Sequence, residues 1–178
     1  MPFYPWPLIQ CIADGNHQRR QVWAHLAPCT SHFAHHSRMR LIVVQQGKVK
    51  DPSVIALRAE FLKRFQRYGA LTVLEKEPKG DTVLWPSSSR WKVLLDERGE
   101  QPTSEQLAKL LRKWTMAHGE VAFLVGDAYG PHAPTKAKAD TTIALSALTL
   151  PHQLAHLLLI EQLYRAASIL AGSPYHHA

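Results

Sequence analysis

Cysteine is scarce in this chain, with two among 178 residues. Cys11 and Cys29 are too few for the disulfide framework of a small secreted protein, and they lack the paired spacing of a zinc site. His32, His35 and His36 lie near Cys29, so a Cys/His metal site is conceivable, but four ligands at an interpretable spacing are missing. The sequence therefore predicts no metal cofactor.

Long apolar runs are also missing, since none approaches the ~20 residues of a membrane-spanning helix. The first apolar stretch precedes Arg19 and Arg20, which is the reverse of a secretory signal, so we expect a cytoplasmic protein. Acidic residues are in the minority, with 14 Asp and Glu against 21 Lys and Arg, and the net charge is +7. This basic balance suits a polyanionic partner, but it does not distinguish RNA from DNA or lipid headgroups.

The composition changes at about residue 39. Residues 1–38 hold four prolines, five histidines and two tryptophans without a sustained period. They predict a poorly ordered N-terminal extension or translated sequence upstream of the true start, because Met39 leads directly into an apolar strand. Residues 39–178 have an ordinary length for one domain and carry 18 of the 21 basic residues.

Strands alternate with helices along residues 39–178. The predicted strands lie at 41–44, 71–74, 93–95, 121–125 and 142–145, and the predicted helices at 54–68, 103–118 and 152–171. This order predicts an α/β fold with a mostly parallel sheet. Ligands bind such folds beyond the carboxyl ends of strands. Three loops of unusual composition follow strands there: Leu95-Asp96, 126–130 and 145–151.

Two groups of residues within these elements have both structural and functional interpretations. Gly126 and Gly130 would let a ligand approach the backbone, but the pattern lacks the features of a P-loop or a dinucleotide fingerprint, so by itself it favours a plain turn over a ligand site. Arg165 lies within an apolar helix and needs an anionic partner, which Glu161 would supply at i−4.

A longer pattern near the C-terminus points to a family. The segment 145–152 reads LSALTLPH, and it is followed by Glu161-x-Leu-Tyr-Arg165-Ala and by Pro-Tyr175-His176. In order and spacing this resembles the C-terminal signature of the bacterial ribosomal RNA large-subunit methyltransferase H family. Met39-Arg-Leu resembles the usual beginning of that family, so the resemblance covers residues 39–178.

The resemblance implies a small SPOUT-class methyltransferase domain, an α/β fold with helices on both faces of the sheet and a C-terminal trefoil knot. It also implies a homodimer that uses S-adenosylmethionine to methylate N3 of a pseudouridine in 23S ribosomal RNA of the assembled ribosome. It implies no metal, no DNA and no membrane partner.

The resemblance also assigns residues to roles, and these roles are expectations carried over from the family. The donor would be held in the knot by three loops, which contribute Leu94, Leu95, Asp96, Gly126, Asp127, Gly130, Leu145, Ser146, Ala147, Leu148, Thr149 and Leu150. The target nucleotide and catalysis would involve Arg165, Tyr175, His176 and His152. His176 or Tyr175 would accept the N3 proton, and Arg165 would stabilise the developing oxygen charge. Four basic residues, chosen for their charge and not carried over from the family, are candidates to contact RNA phosphates: Arg64, Arg67, Lys136 and Lys138.

The sequence departs from the family at two places. The family has paired glycines where this chain has Gly126-Asp127, and the Asp127 side chain could block the donor, repel its carboxylate, or contact its amino group or sulfonium. This departure leaves open an alternative function, a non-catalytic ribosome-binding relative that has lost donor binding. Residues 76–92 are also short where the family has a helix, and they contain Trp85 and Trp91.

Overall fold

The computed structural model describes residues 39–176. The extension predicted over residues 1–38 lies outside this range, as do Cys11, Cys29 and the neighbouring histidines, so those expectations stay predictions. Within the described range, no helix has the length and hydropathy to cross a membrane.

The described residues form one five-stranded sheet in the order β2-β1-β4-β3-β5, and every pairing is parallel. Its strands are β1 (Met39–Gln46), β2 (Gly69–Lys76), β3 (Trp91–Glu100), β4 (Glu120–Val125) and β5 (Thr141–Ile143). The predicted α/β fold with a parallel sheet is confirmed.

The helices are α1 (Pro52–Phe65), α2 (Ser104–His118), α3 (Ala133–Lys136) and α4 (His152–Leu170). α2 begins with a capping box: the Thr103 hydroxyl accepts the backbone N–H of Gln106, whose side chain accepts the N–H of Thr103. Asp51 caps α1, because its side chain accepts hydrogen bonds from the backbone N–H groups of Ser53 and Val54.

The predicted end of β3 at Asp96 is wrong, because the strand continues to Glu100 after a register shift beside β5. The continuation is largely charged and exposed, so its composition resembles a loop. Gly99 permits the close pairing, since a Cβ there would lie 2.6 Å from the backbone of Ile143.

Alternate strand residues face two different cores. On one face, Leu41, Val43 and Phe123 pack with apolar side chains of α1, α2 and α4. On the other face, Val44, Leu94, Ala122 and Leu124 pack against Leu84 and Trp85 of the segment that links β2 to β3. The three long helices therefore cover one face, and the linking segment with α3 covers the other.

The two tryptophans of the linking region are structural residues. Trp85 is 7% exposed, and its indole N–H donates to the carbonyl of Thr135 in α3 at 2.7 Å. Trp91 stacks on His118 with ring centroids 4.4 Å apart. The short 76–92 segment thus covers the second core with Leu84 and Trp85.

Candidate active site

The three loops that the sequence places at the carboxyl edge of the sheet line one cleft of about 910 Å³. A volume of this size accommodates a ligand as large as a nucleoside derivative. Of the expected donor-binding residues, ten line the cleft: Leu95, Asp96, Gly126, Asp127, Gly130, Leu145, Ser146, Leu148, Thr149 and Leu150. His152 lines it as well. Leu94 instead lies in the core beside Trp85, and the exposed Ala147 lies outside the lining.

The path of the loop after β4 requires glycine at position 126, because the backbone of the same loop passes close to it. A Cβ on Gly126 would lie 2.7 Å from the backbone nitrogen of Pro131 and 2.8 Å from the carbonyl carbon of Gly130. Gly130 has a φ of +91°, in the left-handed region that favours glycine. The two glycines that the sequence highlights therefore set the path of the loop along the cleft.

Gln46, the last residue of β1, organises this loop. Its side-chain amide donates to Asp127 Oδ2 at 2.7 Å and to the Gly130 carbonyl at 3.1 Å, and its Oε1 accepts the His132 N–H at 2.8 Å. The residue is 3% exposed. Gln46 is not recognisable as a site residue from the sequence, where its signal is a buried-type strand that ends in two polar residues.

The Asp127 side chain is hydrogen-bonded through both of its carboxylate oxygens. Oδ2 accepts from Gln46, and Oδ1 accepts the backbone N–H of Tyr129 at 2.9 Å. The carboxylate is therefore fixed at the cleft wall by the loop and by β1. The sequence leaves open that the Asp127 side chain blocks a ligand in the cleft. These two hydrogen bonds limit that effect, because they prevent the side chain from rotating freely.

Asp96, which also lines the cleft, forms an ion pair with Lys136. The hydrogen bond from Lys136 lowers the pKa of Asp96, and a further hydrogen bond from the backbone N–H of Arg98 acts in the same direction. Lys136 is therefore engaged with the protein, whereas Lys138 is exposed.

The four expected phosphate-binding residues lie in two separate places. Arg64 and Arg67 lie at the end of α1, where Arg64 pairs with Glu60 at 2.8 Å. Lys136 and Lys138 lie in and after α3, on the other face of the sheet. The structure does not bring these four residues into one cluster within a single chain.

A second polar cluster lies on the C-terminal half of α4. Arg165 donates to Glu161 Oε1 through Nε at 2.9 Å and Nη2 at 2.7 Å, as the i−4 spacing predicts. The Tyr175 hydroxyl donates to the same oxygen at 3.1 Å, and the guanidinium lies 4.8 Å from the centroid of the Tyr175 ring. Burial raises the pKa of Tyr175, and the Glu161 carboxylate raises it further. His176 Nε2 lies 3.8 Å from Glu105 Oε1.

The cleft and this cluster are far apart along the same helix. His152 and Ala155 of α4 line the cleft, whereas Arg165 lies ten residues beyond Ala155. At ~1.5 Å per residue the separation along the axis is about 15 Å. Of the expected catalytic side chains, His152 therefore lies at the cleft of its own chain, whereas Arg165, Tyr175 and His176 do not line it.

Apolar side chains are exposed around the cleft. Tyr129 is 100% exposed, Leu148 76% and Leu154 50%. Within residues 39–176, no three His, Cys, Asp or Glu side chains are grouped so that they could hold a metal ion. The arrangement can bind a ligand with apolar and backbone groups, but it leaves large apolar side chains in water, which is typical of a contact surface.

Comparisons with known proteins agree on one family. Residues 39–176 match the family described as predicted SPOUT methyltransferase. The chain is 38% identical over 157 residues to the ribosomal RNA large subunit methyltransferase H of Nitrosospira multiformis, covering 79% of this chain and 100% of that protein. It is 42% identical over 139 residues to the protein of the same name from Thermus thermophilus, covering 78% and 98%. A crystal structure of a probable methyltransferase from Bordetella pertussis aligns with a TM-score of 0.49 and 17% identity, over 74% of this chain and 95% of that one.

Proposed function

Because the chain belongs to the SPOUT methyltransferase family, we propose that it methylates N3 of a pseudouridine in 23S ribosomal RNA, with S-adenosylmethionine as the methyl donor. The substrate is the assembled ribosome, as the C-terminal signature implies. The observation that carries the proposal is the cleft at the sheet edge, because its wall includes the signature segment that begins at Leu145.

The cleft has the composition that the donor requires. Leu145, Leu148 and Leu150 supply apolar side chains against which the adenine ring packs, and the loop backbones supply N–H and C=O groups for its edge. When bound, the donor supplies an activated methyl group. The chain's own task is therefore to hold the donor, align the nucleotide nitrogen with the methyl group, and remove one proton. The C-terminal knot that the family implies belongs to this proposal.

A homodimer completes the active site in this proposal. The cluster around Arg165 lies about 15 Å along α4 from the cleft of its own chain, so a second copy must bring the equivalent cluster to it. The exposed Tyr129, Leu148 and Leu154 beside the cleft suit such an interface.

His176 is the better of the two expected bases. N3 of pseudouridine is an imide-type nitrogen that loses its proton as the N–CH₃ bond forms and the S–CH₃ bond breaks. Tyr175 donates its own proton to Glu161, and its raised pKa disfavours the phenolate that a base would need. Tyr175 instead supports Arg165 from one side, while Glu161 orients the guanidinium that stabilises the oxygen charge.

The test is donor-dependent methylation of ribosomes that lack N3-methylpseudouridine. The purified protein is incubated with isotopically labelled S-adenosylmethionine and such ribosomes, and nuclease digests of 23S RNA are analysed by mass spectrometry. We expect labelled N3-methylpseudouridine, and none from ribosomes that carry uridine at the target. Absence of label from pseudouridine-containing ribosomes, with a donor that binds, contradicts the proposal.

The alternative of a non-catalytic relative rests on Asp127, and the hydrogen bonds of this residue argue against it. The carboxylate is fixed at the wall by Gln46 and the Tyr129 N–H and does not project freely across the cleft. Ribosome binding without measurable donor binding would favour the alternative.

A further inference from the structure

We infer that Asp127, held in place by Gln46, makes the cleft bind the positively charged methyl donor more tightly than the neutral reaction product. S-adenosylmethionine has a sulfonium centre, and S-adenosylhomocysteine has an uncharged thioether in its place. This inference rests on the proposed function, because it concerns the donor cleft.

The position of the Asp127 carboxylate is set by hydrogen bonds from β1 and from its own loop. Gln46 donates to Asp127 Oδ2, and the orientation of that amide is itself fixed, because Oε1 accepts the His132 N–H and Nε2 also donates to the Gly130 carbonyl. The Tyr129 N–H holds the other carboxylate oxygen. Gln46 is thus a positioning residue, and Asp127 is the charged group that it holds in the lining of the cleft.

The charge of Asp127 has no ionic partner within the described part of the chain, where no Lys, Arg or His forms a salt bridge with it. The other aspartate of the cleft, Asp96, is neutralised by Lys136. Glu97 and Arg98 also line the cleft, and both are exposed. An unpaired carboxylate at a partly desolvated wall attracts a cationic ligand more strongly than it would in water. The hydrogen bonds from Gln46 and Tyr129 stabilise it without neutralising it.

Three effects of Asp127 on a ligand are distinguishable. Attraction of the sulfonium strengthens binding of the donor alone. Contact with the amino group, which donor and product share, strengthens both equally. Repulsion of the shared carboxylate weakens both equally. The ratio of the two dissociation constants therefore isolates the first effect.

Isothermal titration calorimetry of the full-length protein with each ligand measures this ratio. Asp127→Asn keeps the size of the side chain and removes the charge. We expect it to lower the preference for donor over product about tenfold, a change that shrinks as salt rises. Gln46→Met keeps the length and loses the hydrogen bonds, so it should lower the preference in the same direction. Asp81→Asn removes one exposed charge from the loop after β2 and should leave the ratio unchanged.

A double-mutant cycle tests the positioning role of Gln46. In an Asp127→Gly background the carboxylate is absent, so adding Gln46→Met should no longer change the ratio. A purely structural role of Gln46 would alter both affinities together in either background. An unchanged ratio in Asp127→Asn overturns the inference while the proposed function stands. If the wild-type protein binds neither ligand, both proposals fail.

Discussion

Replacing Arg165 with alanine separates catalysis from stability. The guanidinium makes two hydrogen bonds to Glu161 Oε1 and lies over the Tyr175 ring. The side chains of Arg165 and Glu161 are 27% and 16% exposed, so the pair lies between a surface salt bridge and a buried one. Surface pairs contribute ~0–1 kcal/mol, and breaking a fully buried pair costs ~3–5 kcal/mol.

The expected loss of stability for Arg165→Ala is therefore about 1–2 kcal/mol. Glu161 keeps its hydrogen bonds from Gln162 and Tyr175, which limits the penalty of leaving its charge unpaired. In a domain of this size the melting temperature should fall by roughly 3–10 °C. The rate of methylation should fall much more, by roughly 10²–10³-fold, because a charge positioned for the transition state is lost.

The assay pairs thermal unfolding with single-turnover methylation of ribosomes, and size-exclusion chromatography checks the proposed dimer. Arg165→Lys is the matched control, since it keeps the charge but not the two-bond geometry, and we expect an intermediate rate. An unchanged rate, or loss of the folded dimer at 25 °C, would refute the reasoning and leave Arg165 as only the ion-pair partner of Glu161.

The remaining predictions concern the cleft, acid stability and the N-terminal region. Gly126→Ala should weaken donor binding more than tenfold in calorimetry, because the new Cβ would meet the Pro131 backbone at 2.7 Å and displace the loop; unchanged affinity would show that the loop adjusts freely. Burial lowers the pKa of His156 to about 4 from its usual 6.5. As the pH drops from 6.5 to 4, the His156 imidazole therefore becomes protonated in the unfolded chain before it does in the folded one, and the free energy of unfolding should fall. The loss should be at most about 3 kcal/mol and should disappear in His156→Leu, as measured by urea unfolding at several pH values. A chain that starts at Met39 should keep its melting temperature within a few degrees, and a large drop in differential scanning calorimetry would show that residues 1–38 contribute to the core.

The regular elements were predictable because their patterns are local. The continuous apolar run at 121–125 indicates a buried parallel strand, and Thr103 with Gln106 marks the start of a helix. The continuation of β3 beyond Asp96 was not predictable from composition, since its pairing depends on Gly99 lying against Ile143, a contact between distant segments.

The candidate site was predictable in its backbone and not in its side chains. Parallel strands bring their following loops to one edge, so the cleft follows from element order alone. The link between Gln46 and Asp127 spans 81 residues and depends on β1 lying beside β4, which the strand sequences do not reveal. The structural role of Trp85 was equally unpredictable, because its indole N–H donates to the carbonyl of Thr135, which is 50 residues away in the sequence.

The attachment of the loop 126–130 to β1 has a consequence for the dynamics of ligand binding. β1 pairs with both β2 and β4. Gln46, at the end of β1, forms hydrogen bonds with Gly130 and His132 and so links the loop to this strand. We therefore expect the loop to become ordered during folding and not when a ligand arrives. Its amides should exchange with solvent deuterium slowly even without ligand, and association should be limited by diffusion and docking and not by a loop closure. Little conformational entropy then remains to be lost when the cleft fills.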